Sequence, residues 1–328
     1  MISRRQLRIK ALQILYAYYK TGSSDVAKAE KELLFSINKA YDLYHYIFVL
    51  IIDIANLAES RIELSKKKLK PTAEDLNPNT RFINSNLLEQ IRNTEQLNRY
   101  INAKKLNWAN YPELIKDLLT SIQKNEDYIA FMNSEKVNFS DEKKLLISIL
   151  TNVVYPNESL ESVLEEQSIY WTDDLEYIIS MVIKTLKIYR ENGSAHDPLL
   201  DLFKNPDNSK IPEDKQFVID LLRKTILNKD SYTEFIKSNT KNWDLDRIAF
   251  MDILIMQMAI CEFINFPSIP TKVTLNEYLE ISKLYSTNKS SVFINGVLDK
   301  VVMQLRKQNM INKTGRGLIG EKNESPEK

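Results

Sequence analysis

Arginine is concentrated at the start of the chain, where no acidic residue accompanies it. Arg4, Arg5 and Arg8 stand with two lysines in residues 3–21, a segment without Asp or Glu. Guanidinium groups bind phosphate through paired N–H donors, and surface helices normally mix acidic with basic side chains for mutual support. The arginines also lie near the positive end of the predicted helix, which disfavours cations. This pattern predicts an anionic partner, and it favours phosphate binding over a merely solvated helix face.

Residues that usually catalyse reactions or bind metals are few and scattered. The chain has two histidines, His45 and His196, and one cysteine, Cys261. No His/Cys grouping has the spacing of a zinc site, and no nucleophile elbow frames a serine. The glycines before Lys313 are isolated, which excludes Rossmann and P-loop phosphate sites. We therefore predict a protein without catalytic residues, metal or cofactor.

Composition is typical of a soluble globular chain. The 328 residues are 43% hydrophobic and 27% charged, with a net charge of +1, and allow two domains or one domain with a large insertion. A single cysteine excludes an intramolecular disulfide and favours a reducing, cytoplasmic location. The arginine pair and the apolar residues after it resemble an export signal only superficially, because no small-residue cleavage site follows.

Helical periodicity runs through the chain, and strand alternation is nowhere sustained. The longest apolar stretch, residues 242–263, is interrupted by Asp252, Gln257 and Glu262. It is too polar for a membrane span and too long for a strand, so it predicts a helix with most of its circumference buried. Two shorter amphipathic helices follow.

Local signals place several boundaries along the chain. Thr274 and Glu277 have capping-box spacing, which predicts that the penultimate helix begins near Leu275. Gly22 follows the first helix in a suitable C-cap position. The polar residues 309–328 predict a disordered tail.

The two ends of the chain carry recognisable sequence motifs. The segment RRQLRIKALQILY at 4–16 resembles the opening helix of the bacterial NusB family. Trp243, Leu245 and Arg247 resemble its W-x-L-x-R entry to a buried helix, and Asn276 with Glu277 resembles its N-E pair. Glu262 is similar to the glutamate that closes the buried helix, and Ser290 with FINGVLDK at 293–300 resembles its F-V-N-G-V-L-D-K signature.

The resemblance implies an all-α fold, a NusB-like helical bundle formed by the N-terminal helix and the C-terminal helices. It covers residues 1–22 and 211–308, which form the predicted RNA-binding domain. Residues 23–210 are then a predicted helical insertion. We also expect the N-terminal helix to pack beside the last helix, so that the two chain ends build one site.

The resemblance further implies transcription antitermination on ribosomal RNA operons. The family binds the single-stranded boxA element of nascent RNA together with the tenth small-subunit ribosomal protein (NusE). That pair joins the RNA polymerase elongation complex with other Nus factors, and no membrane is involved. Carried over by position, the RNA-binding residues are Arg4, Arg5, Arg8, Tyr16, Lys289, Ser290, Phe293, Asn295 and Lys300. The partner-binding residues are Asp252 and Glu262.

Several alternatives stay open. Tyr16 and Phe293 have helical core spacing and fit core packing as well as base stacking. Asn295 beside Gly296 also fits close helix packing. Lys289 stands where some relatives carry an acidic residue, and Gln257 replaces a common basic one. A helical scaffold without an RNA role is the alternative function, and the NusB-like part of a ribosomal RNA methyltransferase is disfavoured because the chain lacks a Gly-rich methyl-donor site.

Overall fold

The computed structural model describes residues 2–203, 211–240, 247–287 and 289–320, and these contain fifteen α-helices and no strand. The all-α prediction is confirmed. Trp243 and Leu245 of the W-x-L-x-R motif lie outside the described residues. In chain order the helices are α1 (Arg4–Lys20), α2 (Val26–Lys66), α3 (Ala73–Leu76), α4 (Asn86–Asn93), α5 (Glu95–Lys104), α6 (Pro112–Lys124), α7 (Glu126–Asn133), α8 (Phe139–Ile149), α9 (Glu158–Gln167), α10 (Leu175–Ile188), α11 (Glu213–Leu227), α12 (Lys229–Asn239), α13 (Phe250–Asn265), α14 (Thr271–Tyr285) and α15 (Ser290–Lys307).

The chain divides into two compact units. The terminal unit comprises residues 2–37 and 203–328, and the insertion unit comprises residues 38–202. The long helix α2 begins in the first and ends in the second. The observed division therefore falls later than the boundary expected after residue 22, because the first turns of α2 belong with the terminal unit. That residues 23–210 form a separate functional domain stays a prediction.

Helix α13 is the centre of the terminal unit. It contacts α1, α11, α12, α14 and α15, and eleven of its sixteen residues are buried. A helix enclosed by five others must be apolar around most of its circumference, which explains the long apolar stretch in the sequence. The predicted buried helix is confirmed.

Helices α1 and α15 are both joined to α14. Helix α1 packs against α11, α13 and α14, whereas α15 packs against α12, α13 and α14. The expectation that α1 packs beside α15 is therefore replaced by an arrangement in which α14 contacts both. Both ends of α1 are capped. Ser3 Oγ accepts a hydrogen bond from the backbone N–H of Gln6 at the start of the helix, and Gly22, just after its end, has a left-handed φ of +64°.

Helix α14 begins at Thr271, four residues before the predicted start. The capping-box prediction is wrong because both of its side chains have tertiary partners. The Thr274 hydroxyl donates to Glu262, and the Glu277 carboxylate accepts from Arg5. The residue before the first helical position is Pro270.

Residues 309–320 differ from the disordered tail expected from composition. The Thr314 amide donates to the Pro267 carbonyl at 3.0 Å, and Lys313 Nζ donates to the Phe266 carbonyl at 3.1 Å. A short 3₁₀ helix, Gly315–Leu318, then lies against the same turn. Residues 321–328, the remainder of the predicted tail, lie outside the described residues.

The insertion unit holds most of α2 together with α3 to α10, as its helical periodicity predicts. Short helices α3 and α7 were not predicted, and a π-helical turn at Leu150–Val154 extends α8. Among the described helices, none combines the length and the apolar character needed to cross a membrane.

Candidate nucleic-acid interface

Arg8 forms a buried ion pair with Glu262. Its Nε and Nη2 atoms donate to the two carboxylate oxygens at 2.8 and 2.6 Å, and its side chain is only 2% exposed. Two more donors reach the same carboxylate: the Thr274 hydroxyl at 2.8 Å and the Tyr278 hydroxyl at 3.1 Å. Glu262 thus ties α1 and α14 to α13 through four hydrogen bonds, which offset the cost of burying its charge.

The protonation of this cluster follows from its contacts. Burial alone lowers the pKa of Arg8, but the charge and hydrogen bonds of Glu262 hold that pKa above its ordinary value. Burial and the Glu262 charge raise the pKa of Tyr278 well above its usual range, so its hydroxyl remains a donor. The cluster is therefore a fixed pair of opposite charges with neutral donors around it.

The other two N-terminal arginines are also paired within the chain. Arg4 donates to Asp214 at 2.8 Å and to Glu213 at 2.6 Å, in the first turn of α11. Arg5 forms a two-pronged contact with Glu277 on α14, at 2.9 and 2.8 Å. Both arginines are partly exposed, so their free N–H groups remain accessible to solvent.

These contacts correct the interpretation of the arginine-rich helix. The anionic partners expected from its lack of acidic residues are carboxylates on α11, α13 and α14, far away in the sequence. Arg8 is buried and paired with Glu262, so its guanidinium group does not face solvent in this structure. Its RNA-binding role stays a prediction. Arg4 and Arg5 keep their helix docked, and any phosphate would have to compete with their carboxylate partners.

The predicted partner-binding residues are buried as well. Asp252 is 5% exposed and accepts a hydrogen bond from the Ser286 hydroxyl, while Glu262 is fully buried. Ser290, predicted to bind RNA, is also buried, and its hydroxyl is engaged by Ser286 at 3.0 Å and Thr287 at 2.8 Å. Asp252 and Ser290 hold the α14–α15 turn against α13, whereas Glu262 joins α1 and α14 to α13. None of the three side chains is exposed in this structure, and their partner- and RNA-binding roles stay predictions.

An open groove of about 650 Å³ lies along α14 and α15. Arg5 and Asn295 line it, so the structure brings these two predicted residues together. The groove also contains residues that were not singled out for binding, namely Asn276, Leu279, Glu280, Lys283, Ser291 and Val292. Its charges are largely neutralised, because Arg5 pairs with Glu277 and Lys283 pairs with Glu280 at 2.6 Å. Asn276, Leu279 and Lys283 recur at helical spacing, so the sequence alone could have indicated that they share one face of α14.

Three further residues predicted to bind RNA, Lys289 just before α15 and Phe293 and Lys300 within it, lie with Gly296 on another face of that helix. Lys289, Phe293, Gly296 and Lys300 are spaced i, i+4, i+7 and i+11, which places them in one row, called here the α15 stripe. Asn295 lies well over 100° around the helix from this row. Lys289 and Lys300 are exposed and form no ion pair with the described residues, while Phe293 is half-buried. Gly296 is exposed, and a Cβ atom added there would meet no neighbouring side chain within 4 Å.

Tyr16 belongs to neither of these surfaces. Its ring lies 5.8 Å from that of Phe250, and the Lys20 ammonium group approaches both rings, at 5.6 and 4.8 Å. The side chain is 39% exposed, so the alternative of a core position does not hold for Tyr16. It retains an accessible aromatic face.

The chain is similar in sequence to a known protein family. The family model described as "NusB family" matches residues 176–303. A relative named transcription antitermination protein NusB, from Salinibacter ruber, is 38% identical over 140 residues, which cover 42% of this chain and 87% of the relative. The chain belongs to the NusB family.

Proteins of the same name from two other bacteria are also similar to this chain. The one from Chloroherpeton thalassium is 37% identical over 116 residues, covering 33% of this chain and 55% of the relative. The one from Natranaerobius thermophilus is 39% identical over 92 residues, covering 28% of this chain and 66% of the relative. No solved structure matches this chain.

The two units of this NusB-family chain carry opposite net charges. Residues 2–37 and 203–328 contain 26 Lys and Arg against 19 Asp and Glu, whereas residues 38–202 contain 19 against 25. The overall charge of +1 conceals this separation. A positive excess in the terminal unit favours a polyanionic ligand for that unit rather than for the insertion.

Proposed function

We propose that this chain is a transcription antitermination factor that binds single-stranded RNA without catalysing a reaction. The observation that carries the proposal is membership of the NusB family, because the similar proteins are named transcription antitermination protein NusB. The excess of positive charge in the terminal unit supports it, because phosphate neutralisation dominates the affinity of proteins for nucleic acids.

The α15 stripe is the RNA-binding face in this proposal. Lys289 and Lys300 are exposed and unpaired among the described residues, so they reach phosphate without first breaking an ion pair. They are separated by about 16 Å along the helix, enough for several phosphates of an extended strand. Phe293 and Gly296 lie between them, one offering a partly exposed ring for stacking and the other allowing close approach of the RNA backbone.

The α14–α15 groove supplies neutral groups beside this face. Asn276 and Asn295 carry amides that both donate and accept, as recognition of unpaired base edges requires. Exposed Val292 lines the groove and adds apolar surface for a base. Arg5 contributes through the N–H groups that Glu277 leaves unused.

The finer assignment follows the family resemblance. We propose that the RNA is a boxA-type element of ribosomal RNA operons and that the tenth small-subunit ribosomal protein (NusE) binds with it. The pair would act in the cytoplasm on the RNA polymerase elongation complex with other Nus factors. The supporting observation is the FINGVLDK segment, which places Phe293 and Lys300 on the stripe.

Fluorescence anisotropy with a short labelled boxA RNA tests this function. We expect saturable binding that strengthens when the ribosomal protein is added, weakens with rising salt and exceeds binding of a scrambled RNA of equal length. Equal affinity for boxA and scrambled RNA would refute the boxA assignment. No binding to either RNA, with the ribosomal protein present, would refute an RNA-binding role.

A helical scaffold is the second candidate function. The observation in its favour is that Arg4, Arg5 and Arg8 all have carboxylate partners inside the chain, which removes the strongest sequence argument for phosphate binding. In this alternative, the acidic insertion unit binds other proteins and the chain has lost its affinity for RNA. The same anisotropy measurement decides between the two functions.

A further inference from the structure

A cavity in the insertion unit offers a site that is separate from the proposed RNA surface. It has a volume of about 320 Å³ and lies among the C-terminal part of α2, residues 79–83 and the corner between α6 and α7. Small-molecule sites in proteins commonly have volumes of about 300–1,000 Å³. The cavity is therefore at the small end of that range, which suits a compact ligand.

One wall of the cavity is apolar and fixed. Ala58, Phe82 and Ile83 are almost completely buried members of the insertion core, and Ile62 and Met132 pack against that core. The Phe82 ring meets the ring of Tyr128 edge to face, with centroids 5.5 Å apart. Such a wall favours the apolar body of an organic molecule.

The lining also includes polar side chains that have no partner in the part of the chain that the structure describes. The Arg61 side chain is half-buried and makes no ion pair or hydrogen bond with any described residue. In the same unit, Arg92 and Arg99 each donate to a carboxylate, and Arg81 donates to the carbonyls of residues 131 and 132. Arg61 thus differs from these neighbours, because it lines an open pocket and its guanidinium group has no partner among the described residues.

Two further donors line the same space. The Tyr128 hydroxyl and the Gln123 amide have no hydrogen-bond partner among the described residues. Burial raises the pKa of Tyr128, so its hydroxyl keeps its proton and remains a donor at neutral pH. Arg61 is the only charged residue in the described lining, and no carboxylate is present there to neutralise it.

We propose that this cavity binds a small organic carboxylate. The guanidinium group of Arg61 holds the carboxylate by paired N–H···O bonds, a geometry that planar guanidinium and carboxylate groups share. Tyr128 and Gln123 donate to the same oxygens, and the apolar body of the ligand lies on Phe82 and Ile83. The insertion unit then acts as a ligand-binding module, and this assignment does not depend on the proposed RNA function.

Titration with 3-phenylpropionate tests the proposal, with neutral 3-phenylpropionamide as the matched probe. Binding to the full chain is followed by saturation-transfer NMR and calorimetry. We expect the carboxylate to bind at least about tenfold more tightly than the amide, since the charge-assisted hydrogen bonds exist only for the anion.

Three variants locate the binding. Arg61→Met is expected to weaken carboxylate binding about tenfold or more and to leave amide binding unchanged. Tyr128→Phe, which keeps the ring and removes the hydroxyl, is expected to weaken it several-fold. Arg99→Met is the control, because Arg99 is an exposed arginine of the same unit outside the cavity.

Each outcome bears on the proposal. Equal binding of acid and amide, or undiminished binding by Arg61→Met, would overturn it, as would the absence of saturable binding. Because Arg61 has no partner within the described residues, Arg61→Met should also keep the thermal stability of the parent chain. A loss of folding in this variant would contradict the unpaired state on which the proposal rests.

Discussion

Glu262 holds three helices of the terminal unit together through one carboxylate. It lies on α13 and accepts from Arg8 on α1 and from Thr274 and Tyr278 on α14. A buried charge is stable only while its partners remain, because removing one partner leaves the other desolvated and unpaired. Arg8 and Glu262 therefore hold the helices of this unit together, and the external binding roles predicted for both stay predictions.

Substitution of Arg8 should be far more costly than substitution of its exposed neighbour. Arg8→Met leaves Glu262 buried without its counter-charge, and we expect a loss of about 3–5 kcal/mol in the free energy of unfolding. Arg5→Met breaks a pair that is partly exposed, and the expected loss is about 1 kcal/mol or less. Urea denaturation measures both, and similar losses in the two variants would contradict the structural role of Arg8.

His45 provides a pH-dependent test of the insertion core. Its ring is buried and stacks on Tyr100 at 3.7 Å, and its Nδ1–H donates to the Tyr41 carbonyl at 2.8 Å. Nε2 is buried without a partner in the described part of the chain. Burial lowers the pKa of His45 from 6.5 to about 4, although the hydrogen bond to the Tyr41 carbonyl and the nearby Asp42 charge oppose this shift.

The stability contributed by neutral His45 should fall in acid. Between pH 6.5 and pH 4 the unfolded chain binds a proton that the folded chain excludes, so the free energy of unfolding decreases as pH falls. The loss from this residue is about 3 kcal/mol at most across that window. Urea denaturation at several pH values should show a flatter profile for His45→Phe, and identical profiles would contradict the burial of a neutral imidazole.

At the scale of elements, hydrophobic periodicity predicted most of the helices, whereas the local capping signal did not predict where α14 begins. The apolar stretch that became α13 was recognised because a helix enclosed on all sides has little need for polar residues. The start of α14 was missed because Thr274 and Glu277, which look like a capping box, are bound to Glu262 and Arg5. Arg8 and Glu262 are 254 residues apart, so no local pattern could pair them.

Two glycines should respond oppositely to the same substitution. A Cβ on Gly317 would lie 1.9 Å from the Pro267 carbonyl oxygen, so Gly317→Ala should detach the segment 309–320 from the α13–α14 turn. A Cβ on Gly296, in the middle of α15, would meet no neighbouring side chain within 4 Å, so Gly296→Ala should stabilise the helix by up to about 1 kcal/mol.

Thermal unfolding and limited trypsin digestion distinguish these effects. Gly317→Ala should lower the melting temperature and speed cleavage after Arg316, whereas Gly296→Ala should do neither. If RNA approaches Gly296 closely, Gly296→Ala should bind RNA more weakly than the parent chain, although the variant is the more stable of the two. A Gly317→Ala chain as stable and protease-resistant as the parent would contradict the packing of this segment.

At the scale of the whole molecule, one chain combines two units of opposite charge. The terminal unit has seven more basic than acidic residues and the insertion unit six fewer, which a net charge of +1 does not suggest. The sequence allowed an insertion to be recognised, because the family-like motifs lie at the two ends of the chain. It did not predict the division near residues 37 and 202, because α2 passes through the boundary without a break.

The central claim is that the α15 stripe of the basic unit binds single-stranded RNA, and charge reversal tests it most directly. One double variant combines Lys289→Glu with Lys300→Glu, and its affinity for RNA is measured by fluorescence anisotropy. The control double variant combines Lys136→Glu with Lys184→Glu. It reverses the charge of two exposed lysines of the insertion unit that have no partner among the described residues. The account predicts that the first variant binds boxA RNA at least about tenfold more weakly, with a smaller salt dependence, while the second changes little. Equal affinities for the parent chain and both variants would contradict it.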